Sequence, residues 1–203
     1  MKNITLLSIL LFFGYTGFAL QKPDSIQTEE FNTLLKVESN GGYGGFSMGY
    51  TTIDGQNSFI AGFKGGWIIN HYFVLGAAGY GFGNCQNCGS TGIIHGSAGG
   101  YGGILFEPIF WARNSVHLSV PIIIGGGGMG YYVEDEGIGS AAFVFVPGVE
   151  LELNMSKFFR LAIGVDYRFT SDLYFDSLIL DKIVPGDVME GLSVHAVFKF
   201  GKF

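Results

Sequence analysis

From residue 42 onward, apolar positions alternate with polar or glycine positions in runs of ten or more residues, and turn residues separate the runs. Successive side chains on a β-strand point to opposite faces, so this period of two predicts strands with one apolar face. The seventh run, Phe158 to Thr170, is the sharpest. In it Leu161, Ile163, Val165, Tyr167 and Phe169 alternate with Arg160, Ala162, Gly164, Asp166 and Arg168. The sixth, Ser140 to Leu153, sets Phe143, Phe145, Val149, Leu151 and Leu153 against Glu150 and Glu152. The fifth, Ser115 to Gly125, sets Val116, Leu118, Val120, Ile122 and Ile124 against Ser115, His117 and Ser119. The first, Gly42 to Thr52, and the second, about Ser58 to Ile69, follow the same rule, with Lys64 on the sparse polar face of the second. The third, Tyr72 to Gly83, is apolar or glycine on both faces, so its phase stays open. The fourth spans Ile93 to Phe106 and is ended by Glu107-Pro108, and the last spans Gly191 to Phe203.

That makes eight strands, and their connections alternate in kind. Asn70-His71, the stretch from Glu107 to Asn114, and Asn154 to Ser156 are short turns. The segments 83–92, 126–138 and 171–190 are longer loops, whereas Asp54-Gly55 after the first strand is tight. An even number of antiparallel strands with long loops at one end and short turns at the other is the plan of a bacterial membrane barrel. With the N-terminus on the periplasmic side, the long loops fall outside the cell.

Composition decides between lipid and water as the solvent of the apolar faces. Hydrophobic residues make up 48% and charged residues 14%, against about 25% charged in an ordinary soluble domain. A spanning helix needs about 20 consecutive apolar residues, and after the N-terminus glycines interrupt every apolar stretch of that length. The 34 Gly and 20 Phe are poor helix material. A closed barrel is the remaining way to hold such a chain in lipid with its backbone groups paired. The expected fold is therefore all-β, an eight-stranded antiparallel up-and-down transmembrane β-barrel over 42–203. A soluble barrel would need far more charge on its outer wall.

Residues 1–19 stand apart as a secretory signal: Met1-Lys2-Asn3 is a basic start, Ile4 to Phe13 an apolar core, and Gly17-Phe18-Ala19 a small-residue cleavage site. Residues 20–41 form a polar periplasmic lead-in that either packs below the barrel or extends the first strand. Removing 1–19 takes away Lys2 and no acid, so the charge becomes 10 − 17 = −7. That acidity argues against a nucleic-acid partner.

An eight-stranded barrel is only wide enough for its side chains to fill. The inward face should then hold Lys64, Glu150, Glu152, Arg160, Asp166, Arg168 and Lys199 as a packed ion-pair network, because unpaired charges there would be costly. The three-residue turn places Glu150 or Glu152 opposite Arg160. A proton or ion path is the competing reading of the same residues. Cys85 and Cys88 are spaced for a small loop disulfide in an oxidising compartment. A zinc site would need more ligands than His95 alone, so no metal or cofactor is expected. The acids Glu134-Asp135-Glu136, Asp172, Asp176, Asp181 and Asp187 form a solvated outer rim that fits no defined calcium loop.

The ending Phe198-Lys199-Phe200-Gly201-Lys202-Phe203 resembles the C-terminal strand signal of outer-membrane proteins, with Phe203 one position out of phase. The whole of 42–203 resembles, in pattern, the small Gly- and aromatic-rich outer-membrane barrels of Bacteroidetes-type bacteria, in the size class of the OmpA and OmpX barrels. The resemblance implies an integral outer-membrane location, outer-membrane lipids as surroundings, and recognition of the strand ending in Phe203 by the barrel-assembly machinery. His95-Gly96-Ser97 is similar to the His-x-Ser element of outer-membrane lipid A deacylases of eight-stranded form, in which His95 would activate Ser97. That family follows its Ser with Asn, and here Ala98 stands instead. Fold does not select a role. Three expectations follow: a non-enzymatic structural barrel or accessory subunit with an envelope protein partner, a lipid A acyl hydrolase, or a receptor or adhesin acting through its loops.

The cysteine pair generates a topological prediction. Intact cells should show no labelling by a membrane-impermeant maleimide until a reductant is added, and strong labelling afterwards. Labelling only after lysis would place the 83–92 loop on the periplasmic side.

Overall fold

Alternation of the kind seen in the sequence closes a sheet on itself only if every strand keeps one phase over its whole length. The computed structural model describes the backbone of residues 39–53, 55–86, 95–133, 136–175, 182–184 and 188–203, and their side chains outside 84–97, 131–139 and 173–187. The expected signal segment 1–19 and the lead-in as far as residue 38 lie outside the described residues. The first four strands are β1 (Asn40–Ile53), β2 (Gln56–Ile69), β3 (Phe73–Gln86) and β4 (His95–Phe110). The fifth wall strand comes in two pieces, β5 (Val116–Ser119) and β6 (Ile122–Val133), and β7 (Glu136–Asn154) and β8 (Phe159–Thr170) follow. A small hairpin of β9 (Leu173–Phe175) and β10 (Lys182–Val184) precedes the last wall strand, β11 (Gly191–Lys202).

Each wall strand pairs antiparallel with its neighbour in the chain, and β1 pairs with β11 from Gly42↔Lys202 to Thr51↔Ser193. The barrel is closed, with eight wall strands and no free edge around its circumference. Its stagger follows from the registers. Carrying these registers around the wall, a path from Tyr43 through Gly66, Gly76, Leu105, Ile123, Val146 and Arg168 reaches Gly191 and returns to β1 at Ile53, a shift of 53 − 43 = 10 residues. Eight strands with that shear tilt by about 40° and leave an interior filled by side chains. Among the described residues no helix is long and apolar enough to cross a membrane.

Two ends can be told apart. The turn end carries Asn70 and His71 with φ of 52° and 65°, and Tyr72 N donates to Ile69 O at 3.1 Å. Two consecutive left-handed residues make a tight turn whose twist matches the flanking strands, and Asn is well suited to the first. The β4–β5 and β7–β8 connections lie at this same end, and the remaining ones lie at the loop end. Four boundaries differ from the sequence expectation, the first being β3, which continues to Gln86 through residues read as loop and pairs Gln86 with His95 of β4. β4 does not stop at Glu107-Pro108 but runs to Phe110, because a proline on an outward position removes one ladder donor without turning the chain. The described residues of the segment 126–138 are strand and not loop: β6 and β7 pair from Ile122↔Pro147 to Val133↔Glu136. Its glycines read as loop formers, yet Gly126, Gly127 and Gly128 sit opposite Gly102, Tyr101 and Gly100 in the ladder. Within 171–190, β9 and β10 are strands.

The facing settles the strand whose phase was open. Val74, Ala78, Tyr80 and Phe82 of β3 are buried in the lumen, as are Tyr101, Leu105, Glu107 and Ile109 of β4. Glycines on the lumen side make room for these rings. A Cβ at Gly99 would lie 2.6 Å from Phe82 Cε2, and one at Gly127 would lie 2.8 Å from Tyr101 Cβ.

The outer face carries two aromatic groups. Tyr50, Phe59, Phe143, Phe145, Tyr167 and Phe169 stand toward the loop end, and Trp67, Tyr72, Phe110, Trp111, Phe158 and Phe200 toward the turn end. Aliphatic residues such as Met48, Leu75, Ile104, Leu151 and Ile163 lie between them, exposed. From Phe159 to Phe169 on β8 is ten residues. At about 3.3 Å each that is about 33 Å along the strand, or about 25 Å along the axis at this tilt. An apolar band of that height between aromatic girdles is the dimension of an outer-membrane barrel's lipid face. Three prolines fall on adjacent strands in one part of the wall, Pro108 of β4, Pro121 between β5 and β6, and Pro147 of β7. Val120 N still donates to Pro108 O at 2.9 Å and Gly148 N to Pro121 O at 2.8 Å, but the reciprocal donors are missing.

Val165 is 44% exposed on the outer face midway between the girdles. Val165→Arg should lower stability in lipid vesicles by about 2–4 kcal/mol, read from urea titration of the folded band on a gel. Gly81→Ala, whose new Cβ meets nothing nearer than 4.0 Å, should leave the midpoint unchanged.

Candidate functional site

The lumen is built in three layers. At the turn end Tyr43, Ile68, Val74, Ile109 and Ala112 pack with Phe203 as an apolar floor. At the loop end Ile53, Ile60, Tyr80, Phe82, Tyr101, Val144, Met129 and Met189 form an apolar ceiling with others. Between the two lie the charges. The inward positions of β2, β4, β7, β8 and β11 converge there because shear brings different residue numbers to the same height.

Lys199 stands at the centre. Its Nζ lies 2.5 Å from Glu107 Oε1, 2.9 Å from Glu150 Oε2 and 2.6 Å from Glu152 Oε1. Lys64 Nζ reaches Glu150 Oε1 at 2.5 Å and Glu107 Oε1 at 3.6 Å. Tyr43 donates its hydroxyl to Glu107 Oε2. On the floor side, His117 Nε2 is 3.0 Å and Arg160 Nη1 3.4 Å from Glu152 Oε2. Arg160 also stacks over Phe203, its Cζ 4.0 Å from the ring centroid. On the ceiling side, His195 links Glu150 at 3.4 Å through Nε2 to Asp166 Oδ2 at 3.1 Å through Nδ1. Arg168 lies higher, beneath Phe82 and Tyr101.

All seven residues expected in the lumen are buried there: Lys64, Glu150, Glu152, Arg160, Asp166, Arg168 and Lys199. Six are joined by ion pairs, and Arg168 stands outside those contacts. One detail of the expected pairing is corrected. The residue directly opposite Arg160 is Asn154, and Glu152 stands opposite Ala162, so the Arg160–Glu152 contact is diagonal. The sequence reasoning missed Glu107, His117, His195 and Tyr43. Glu107 was hidden by Pro108, yet its parity with Tyr101 and Leu105 on one strand was the signal that could have found it. With Glu107 included, the described lumen balances four cations, Lys64, Arg160, Arg168 and Lys199, against four carboxylates, Glu107, Glu150, Glu152 and Asp166. Phe203 is out of phase with Phe198 and Phe200 because it faces inward, where it stacks with Tyr43 at 6.2 Å. A methyl at Gly164 would lie 2.7 Å from His195 Nε2 and 2.8 Å from Glu150 Cγ, so this position is not tolerant.

Glu107, Glu150 and Glu152 offer carboxylate oxygens within 4.8 Å of one another, a donor set suited to a hard divalent cation. The Lys199 ammonium sits among all three and is the cation of this centre. His95 and Ser97 lie on β4, with their backbones opposite Gln86 and Asn84. Their side chains lie outside the described residues, as do Cys88 and the side chain of Cys85. The acids Glu134, Asp135, Asp176, Asp181 and Asp187 lie outside them as well.

A closed antiparallel barrel with an apolar outer wall, two aromatic girdles and a charged, filled interior has the architecture of the small outer-membrane barrels. Among solved structures the chain is similar to Neisserial surface protein A, with a TM-score of 0.56 and 10% identity over 81% of this chain and 97% of that one. It also matches Ail, the attachment invasion locus protein of Yersinia pestis, at TM-score 0.47 and 12% identity over 81% and 97% of the two chains. A major outer membrane protein from Thermus thermophilus matches at TM-score 0.43 and 11% identity over 80% and 100%. At such identities the likeness to the Neisserial protein is one of fold. No protein-family model and no curated protein matches the sequence.

Removing one partner of a buried ion cluster leaves its counter-charges stranded, at about 3–5 kcal/mol. Lys199→Met should therefore destabilise the folded barrel by that amount. Adding Glu107→Gln to it should recover part of the loss, because one stranded carboxylate is then gone. A double-mutant cycle by urea titration reads the coupling, and additive effects would show that Lys199 and Glu107 do not interact.

Proposed function

We propose that this chain is an integral outer-membrane β-barrel that acts without catalysis, as a structural element or accessory subunit of an envelope assembly. The observation that carries this reading is the interior. Among the described residues it is a cluster of ion pairs closed above and below by apolar layers, which leaves neither an aqueous channel nor a substrate cleft through the barrel. The outer-membrane setting draws on the two girdles about 25 Å apart and on the fold shared with Neisserial surface protein A. Lipid is then the solvent of the outer wall. The assembly machinery would meet the outward Phe198 and Phe200 of β11, while Phe203 serves the floor. Partner contacts fall to the loop end, where β6 and β7 continue beyond Gly126↔Phe143, the height of the upper girdle.

Two measurements test the reading. Purified barrel in planar bilayers should give no discrete conductance steps; regular steps would show an open lumen and overturn the filled-barrel reading. Affinity purification of the intact protein from envelopes should recover a partner that is lost when residues 127–142 are replaced by a tight turn. Recovery of the same partner by the shortened barrel would remove the loop end from the interface.

A further inference from the structure

Among the described residues, one buried cation in the lumen has no carboxylate. Lys64, Lys199 and Arg160 each lie within 4.0 Å of a glutamate, and Asp166 is taken by His195. Arg168 is fully buried; Asp166 and Tyr101 act on it electrostatically, but among the described residues no carboxylate lies within 4.0 Å of it to form an ion pair. A guanidinium presents a planar fork of five donors that matches an oxyanion. Here the fork meets substitutes. Nε donates to the main-chain oxygen of Met189 at 2.6 Å, Nη2 lies 3.5 Å from Thr51 Oγ1, and Nη1 has no hydrogen-bond partner.

The surroundings are those of an anion site. Phe82 and Tyr101 lie 4.7 and 5.3 Å from the guanidinium carbon and hold its plane. Thr51 accepts from Ser193 Oγ at 3.1 Å. Ser58, opposite Thr51 in the β1–β2 ladder, has a buried hydroxyl without a partner. Hydroxyls that donate or accept by rotation complete a shell around a single fixed positive charge.

Met189 does not belong to the wall. It lies between β10 and β11, at the loop end, and its side chain is fully buried in the apolar ceiling. Glu190 beside it accepts from Thr170 N at 3.4 Å. The segment 188–190 therefore folds over the mouth of the barrel and places a neutral carbonyl where the guanidinium would otherwise take a charged oxygen.

We propose that Arg168, with Thr51 and Ser193, is an oxyanion-binding site at the loop-end mouth, recognising a phosphate group, and that Met189 is its built-in occupant. A phosphate binds by displacing the Met189 carbonyl and gains the charge-assisted, forked contact that the carbonyl cannot give. The site thus couples anion binding to the position of the 188–190 segment.

The test uses the full barrel refolded in detergent, with folding checked for every variant by gel mobility before and after heating. Inorganic phosphate is titrated by calorimetry at constant ionic strength. Met189→Gly, which removes the side chain that anchors the 188–190 segment in the ceiling and so frees its carbonyl to leave, should bind phosphate at least tenfold more tightly than the parent. Arg168→Met should abolish binding in the Met189→Gly background, and Arg168→Lys, which keeps the charge but loses the fork, should weaken it. Binding that survives Arg168→Met, or affinity unchanged by Met189→Gly, overturns the proposal. Should Arg168→Met fail to fold, the Lys variant decides: equal affinity for Lys and Arg shows that no forked site exists. Phosphate supplied on anionic lipid in mixed micelles separates a headgroup from the free ion, the former binding only if the opened mouth admits it.

Discussion

The ammonium of Lys199 among three buried glutamates is the contact on which the interior depends. Three carboxylates within 4.8 Å of one another repel strongly in a medium that screens little, and the lumen of a narrow barrel provides little water to relieve them. One cation on the last strand joins β4 and β7 across the interior, and Lys64 on the second strand repeats the link to both. The wall supplies backbone hydrogen bonds in any register. Only one register brings these charges together, since a slip of one residue would send the whole set into lipid. The cluster is weak evidence for stability in itself. Its physical role is to make one barrel, with one shear, the state in which the charges are matched.

The wall was legible from the sequence to a degree that the interior was not. Val165, Arg168 and their neighbours on β8 alternate without exception, so a single strand declared its two faces. Lipid outside and ions inside reverse the usual arrangement, but the period of two is the same. Trouble came where glycine replaced the alternating residues. β3 and the upper part of β6 have no polar face to mark the phase, and Gly125 to Gly128 resembled a loop because glycine is a loop former by propensity. On the β4 side the partners of these four glycines are glycines or the lumen aromatic Tyr101, a fact that only pairing reveals.

The lumen was legible by residue and not by contact. Parity assigns a side chain to the interior, but it cannot say which residue on a distant strand shares its height. Lys199 and Glu107 are 92 positions apart, and what brings them together is the shear of the closed sheet. His117 and His195 were visible on inward faces, yet their neighbours depend on that same stagger. Glu107 was lost for a simpler reason, because a proline after it looked like an end.

The three prolines give the wall a mechanical character of its own. Pro108, Pro121 and Pro147 thin the hydrogen-bonded net across three neighbouring strands, at the place where the fifth strand divides into β5 and β6. A cylinder with a thinned panel is most compliant there, and lateral pressure from the bilayer would ovalise it along that seam. Glu107, Ser119 and Glu150 line the inner side of this panel, and the lysines reach across the bore to hold the two glutamates. The ion cluster therefore works as a cross-brace in the bore, stiffening the barrel where its own backbone resists deformation least.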